Sequence, residues 1–151
     1  MKYSNGDPYS EEVIPLLEGL GLQLVELTSV NRKGTLHVHL TIYSPEGVTL
    51  DDCAEVYTAL LPRLEVLSEN RDIHLEVSSP GLGRSIKSGR EFELFEGKGV
   101  RLLTLDSDDW VGGVIATSDE ESVTIRTKAG ERTFVYETIK KAKLDESQEE
   151  E

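Results

Sequence analysis

The sequence predicts an α+β chain in two parts: a small α/β layer, then a small β-barrel of the SH3-like or Sm-like kind. Three observations carry this. Apolar residues recur at three- and four-residue steps in two stretches before residue 70, the spacing that gathers them on one helix face. Between and after those stretches they alternate with polar residues, as in strands with one buried face. From residue 100 onward only short alternating runs and tight turns remain, the pattern of a small barrel. The expected divisions are an α/β domain over 1–82, a connector over 83–99, the barrel over 100–144 and a disordered acidic tail over 145–151.

The elements follow in order. Ser10 is placed to cap a helix whose inward stripe is Val13, Leu16, Leu17 and Leu20, with Gly19 and Gly21 at its end and Pro15 in its early turns. "LQLVELTSV" and "TLHVHLTIY" are strands of a hairpin turned at "NRKG", where Gly34 supplies positive φ. Thr49 and Asp52 form a capping-box start for a second helix with the stripe Leu50, Cys53, Tyr57, Leu60, Leu64 and Leu67, which Pro62 should kink or end. "DIHLEV" points Ile73, Leu75 and Val77 inward, and the order helix, strand, strand, helix, strand places helices on one face of a sheet. A short connecting helix then carries Phe92 and Phe95 and closes at Gly97. The strands "VRLLTL", "WVGGVIATS", "SVTIRT", "RTFVY" and "IKKAKL" complete the barrel, with Gly112 and Gly113 allowing the bend that closes it. "DESQEEE" has nothing to bury.

Charge sorts the possible partners. Residues 1–80 carry 5 basic and 13 acidic side chains, 81–143 carry 11 and 11, and 144–151 carry 0 and 5, for a net charge of −13. Such a field repels phosphates at long range, so the partner is basic or is met by one local basic patch; the competing reading is that the charge only maintains solubility. No apolar run approaches the roughly 20 residues that cross a bilayer, and "MKYSNGDPYS" lacks the apolar core of a signal peptide. A soluble cytoplasmic protein is expected. Cys53 is the single cysteine, which leaves no internal disulfide.

Candidate chemistry centres on "VSSPGLGR", residues 77–84. It lacks the Gly-Lys-Ser/Thr ending of a phosphate loop, and Ile86 stands where a dinucleotide fingerprint needs its third glycine. His37, His39 and His74 are either a divalent-metal set or the polar face of a sheet. Cys53 lies on an apolar helix stripe, as a core cysteine does. Trp110, Phe134 and Tyr136 either stack bases or fill the barrel. No two glycines are spaced as Gly-x-x-Gly, which excludes that RNA clamp. What remains is the cluster Arg84, Lys87, Arg90, Lys98 and Arg101, an RNA contact or a solvated connector face.

"GVTLDDC", followed by "LEVSSPGLGRSIKSGREFELFEGKGV", resembles the bacterial ribosome maturation factor RimP family across essentially the whole chain. The resemblance implies a KH-like N-terminal domain, an SH3-like C-terminal barrel, no catalysis and no cofactor. It implies a non-enzymatic assembly factor whose partners are the immature small ribosomal subunit and the strongly basic ribosomal protein twelve, with ribosomal RNA met through the local basic patch. A monomer without membrane contact is expected. The ribosome contact is assigned to Ser78, Ser79, Pro80, Gly81, Leu82, Arg84, Lys87 and Arg90, with Ser78 and Ser79 bonding local backbone, Pro80 stopping the strand, Gly81 turning the chain, Leu82 tucked into the core and Arg84 pointing out. Two positions depart from the family pattern: Gly83 replaces Asp and Ser85 replaces Pro, and both loosen the backbone. The alternatives are a generic acidic adaptor and a metal-dependent enzyme built on the histidine strand.

Overall fold

A computed structural model describes residues 7–69 and 72–149. The opening segment before Asp7, Asn70, Arg71 and the last two residues of the expected tail lie outside the described residues. Contacts divide the chain into two units, meeting at Pro80 and Gly81.

In the first unit, α1 (Ser10–Gly19) begins at the residue expected to cap it, and Tyr9 holds the cap position without a side-chain bond. Asp7 opens it instead: its Oδ1 accepts the Tyr9 N–H at 2.9 Å, and its carbonyl accepts the Ser10 hydroxyl at 2.9 Å. Gly21 ends it at φ +76, with Leu22 N–H donating to the Leu17 carbonyl at 2.9 Å and Gly21 N–H to that of Glu18 at 3.0 Å, the bonding of a Schellman motif. Next, β1 (Gln23–Arg32) and β2 (Thr35–Tyr43) pair antiparallel around Lys33 and Gly34, both with positive φ, as a two-residue hairpin turn requires. A bulge at Val25 turns that side chain inward beside Leu24, and both are buried.

The second helix, α2 (Leu50–Ser68), starts on the expected Thr49–Asp52 capping box and runs through Pro62. Pro62 is exposed, so the ring and the missing N–H act on the solvent side of the helix, where water can serve the freed carbonyl. The buried residues of α2 are Val56, Leu60 and Leu64, while Leu50, Tyr57 and Leu67 are exposed. The inward stripe is therefore rotated from the expected one. Then β3 (Asp72–Ser78) joins β2 in parallel, giving the order β1-β2-β3, as a helical crossover permits. Leu36, Val38, Leu40 and Ile42 face the helices, which touch each other.

The second unit packs α3 (Gly89–Leu94) on an antiparallel sheet of β4 (Gly99–Thr104), β5 (Val111–Ser118), β6 (Ser122–Thr127), β7 (Gly130–Val135) and β8 (Ile139–Leu144). The order is β7-β6-β5-β4-β8. Phe95, Leu102, Ile115, Ile125 and Val123 are fully enclosed. The sheet is not closed into a barrel, because no ladder joins β7 to β8 among the described residues. The free edge of β8 is taken by residues 84–86: Ile86 N–H donates to the Ala142 carbonyl at 2.8 Å and Leu144 N–H to that of Arg84 at 2.9 Å. Residues 83–99, where the sequence suggests a connector, are thus part of this unit. Gly113 allows close strand approach, since a Cβ there would meet the Ile125 side chain and the Arg126 carbonyl.

Residues 145–149 also differ from expectation. They form a 3-10 turn, Glu146–Glu149, over the sheet. Asp145 accepts the Ser147 hydroxyl at 2.6 Å and the Gln148 amide at 3.1 Å, and its N–H donates to the Gly99 carbonyl at 2.9 Å. Polarity alone predicts disorder; these bonds are to backbone and within the turn, which apolar counting overlooks.

Candidate functional site

The stretch singled out in the sequence straddles the two units. Ser78 ends β3 opposite Thr41 and is half-buried, Ser79 is exposed, and Pro80 is half-buried. Arg84 N–H donates to the Gly81 carbonyl at 3.1 Å, closing a turn with Leu82 and Gly83 at its tip. Neither Gly81 nor Gly83 has positive φ, and a Cβ at either meets open space. Leu82 is 78% exposed, so it is not tucked into a core: the turn carries it outward.

Arg84 is also not the outward cation expected. Its Nε and Nη2 donate to Glu91 Oε1 and Oε2, both at 3.0 Å, and the two side chains are 11% and 6% exposed. Both Glu91 oxygens are engaged by one planar fork, the strong geometry for such a pair. Lys87 is exposed and Arg90 half-buried.

Lys140 and Lys141, fifty positions along the chain, come beside Lys87 around a pocket of about 190 Å³ floored by Phe92 and Tyr136. Sequence reading missed this grouping; the pairing of residues 84–86 with β8 creates it. Tyr136 stacks on Phe92 with centroids 5.5 Å apart and donates its hydroxyl to the Asp119 carbonyl at 2.9 Å. Burial, foremost, holds that hydroxyl's pKa above its ordinary value. Gly89 lies against the Tyr136 ring, which leaves no room for a Cβ. Phe134 is buried and Trp110 is 42% exposed, with the Arg101 guanidinium 5.2 Å from its ring centre.

His37, His39 and His74 all lie on the exposed face of the three-stranded sheet. His37 and His74 have ring centres 5.5 Å apart, while His39 Nε2 lies 3.3 Å from Glu76 Oε2. Among the described residues, no three histidine, cysteine or acidic side chains converge on a metal position. Replacing the three histidines together by Gln is expected to change stability by less than about 1 kcal/mol, as for most exposed positions. Urea unfolding checks this, and stoichiometric zinc in the unmutated protein would contradict it. Cys53 is half-buried, and burial, then the Asp52 charge, raises its thiol pKa. That keeps it in the unreactive protonated form at neutral pH.

The helical layer of the first unit has the strongest charge. Within α1 and α2 the acids Glu11, Glu12, Glu18, Asp51, Asp52, Glu55 and Glu65 face a single cation, Arg63. Among them stand the exposed apolar side chains Leu50, Tyr57, Val66 and Leu67. An acidic surface with apolar anchors suits a basic, partly apolar partner.

Known proteins resemble this chain over both units. The family model described as RimP N-terminal domain matches residues 12–83. A protein of Borrelia hermsii (strain HS1 / DAH) named Ribosome maturation factor RimP is 35% identical over 126 residues, covering 83% of this chain and 85% of its own. Proteins of the same name from Borrelia garinii subsp. bavariensis and Borrelia recurrentis are 32% and 30% identical, over 85% and 83% of this chain and 88% and 85% of theirs. With its two units spanned by relatives of one name, the chain belongs to the ribosome maturation factor RimP family.

Proposed function

We propose that the chain acts in the cytoplasm, without catalysis or cofactor, by binding the immature small ribosomal subunit and its basic ribosomal protein twelve. The observation that carries this is the acidic helical layer, seven acids to one cation around exposed Leu50, Tyr57, Val66 and Leu67. A lysine- and arginine-rich protein is steered to such a surface from a distance and anchored on its apolar residues. The turn at Leu82 and the lysines at 87, 140 and 141 add a contact for the subunit itself.

The KH-like reading of the first unit is supported by its order of elements and the parallel β2–β3 pair. For the second unit, the strand order and the 3-10 turn Tyr136–Thr138 before β8 support an SH3-like reading. Co-sedimentation tests the function. The purified protein should pellet with free or immature small subunits and stay in the supernatant with intact translating ribosomes. Equal binding to both, or to neither, overturns the proposal.

A further inference from the structure

The outward face of the five-stranded sheet carries cations that the proposed protein contact does not use. Leu102 and Ala142 point into the core, so their neighbours Arg101, Lys141 and Lys143 point away from it. Arg101 pairs in register with Lys143 on one side and Gly112 on the other. Arg126, opposite Val114, and Lys128 border a groove beside Gly112. Trp110 lies half-open under the Arg101 guanidinium. Arg101 over an exposed indole, with Lys143 beside it in register and Arg126 and Lys128 at the groove, offers a single-stranded nucleic acid what it needs: charges for phosphates and a ring on which a base can stack.

The chain's own acidic segment already occupies this face. Gly99 N–H donates to Glu149 Oε2 at 3.0 Å, and the Asp145 N–H returns a bond to the Gly99 carbonyl. Ser147, Gln148 and Glu149 form one wall of the groove that Arg126 and Lys128 border. The floor is shaped for the segment: a Cβ at Gly99 would run into the Asp145 carbonyl, and one at Gly112 into the Gln148 amide. The Asp145 carboxylate, its pKa lowered first by the bonds from Ser147 and Gln148 and also by the Arg101 charge, sets one anion near a cation of this face.

We propose that this sheet face is a single-stranded RNA site, and that residues 145–149 are its built-in competitor, which RNA must displace. The proposal rests on the reading that the protein works on a ribosomal particle, and it supplies a reason for an acidic protein to carry a cationic face. Arg101, Trp110 and Arg126 are exposed with the segment in place; unseating it removes its carboxylates from their neighbourhood and opens the strand surface at Gly99 and Gly112. On a particle rich in RNA the local concentration of phosphates favours that exchange, while in free solution the segment's carboxylates weaken the hold of this face on stray RNA.

The probe is a labelled uridine decamer, measured by fluorescence anisotropy across a salt series. A chain ending at Leu144 should bind it about tenfold or more tightly than the full chain, with a steeper salt dependence. Removing five carboxylates also changes net charge, so Gly99→Ala in the full chain separates the two causes: it unseats the segment and keeps every charge. It should recover most of the gain, with circular dichroism verifying the fold. Arg101→Gln with Trp110→Ala in the shortened chain should abolish it.

The proposal is overturned if the shortened chain binds RNA no better. It is overturned equally if Gly99→Ala leaves affinity at the full-chain level, since charge alone then explains the gain, or if the Arg101 and Trp110 changes leave the gain intact. Preference of the shortened chain for ribosomal protein twelve over RNA at this face would also overturn it. Co-sedimentation with subunits is scored separately, so failure of the subunit role and failure of this site are told apart.

Discussion

Glu91→Ala is expected to lower the stability of the unit from Gly81 onward by about 3 to 5 kcal/mol. The Arg84–Glu91 pair is bidentate at 3.0 Å, with both side chains nearly closed to water. Removing the carboxylate leaves a guanidinium without its main counter-charge in a place water barely reaches, and that desolvation is the larger part of the cost. Replacing both partners with Arg84→Met and Glu91→Leu should recover much of the loss, since no charge is then stranded. Trp110 is the only tryptophan and lies in this unit, so urea unfolding followed by its fluorescence reads the effect directly. A loss under about 1 kcal/mol, the worth of an exposed pair, would mean that the pair is solvated in solution. Arg84 is on this account a structural residue, its guanidinium turned to Glu91 rather than to solvent.

The second large effect is on binding. Glu12→Lys, Glu55→Lys and Glu65→Lys together should weaken the proposed binding of purified ribosomal protein twelve by about 100-fold at low salt, mainly through slower association. All three side chains are exposed on α1 and α2, so the melting temperature should move by only a few degrees. The salt dependence should flatten or reverse as repulsion replaces steering. Unchanged affinity in a folded variant would place the protein contact elsewhere and leave the acidic layer as a solubilising surface.

The sequence was most informative where one short stretch determines the outcome. Thr49 and Asp52 stand three apart and form the capping box, and Gly34 after Lys33 makes the hairpin turn. Periodicity located α2 but not its inward direction. Leu50 and Tyr57 extend the apolar stripe beyond what the sheet covers, while Val56, on its other side, is buried. The candidate site was less legible, because its geometry depends on distant partners. Arg84 and Glu91 look in sequence like any two opposite charges, and their burial arises only once α3 and β8 close around them. Lys140 and Lys141 meet Lys87 for the same reason. The segment 145–149 is not legible in its own polarity, because two distant glycines, at 99 and 112, leave the space it occupies.

The bonding of residues 84–86 to β8 also fixes the order in which the protein can be made. The first unit pairs its last strand, β3, by Ser78, so its sheet is complete on a nascent chain long before synthesis ends. The second unit joins Arg84 to Leu144 and Ser85 to Lys143, its early residues to its last strand. That unit can close only after Leu144 has left the ribosome, and closing so long a loop carries the entropic delay of a high-contact-order fold. Until then Phe92, Phe95 and Leu102 remain without their cover, which makes the interval between the two foldings the time of greatest exposure to aggregation and to chaperones.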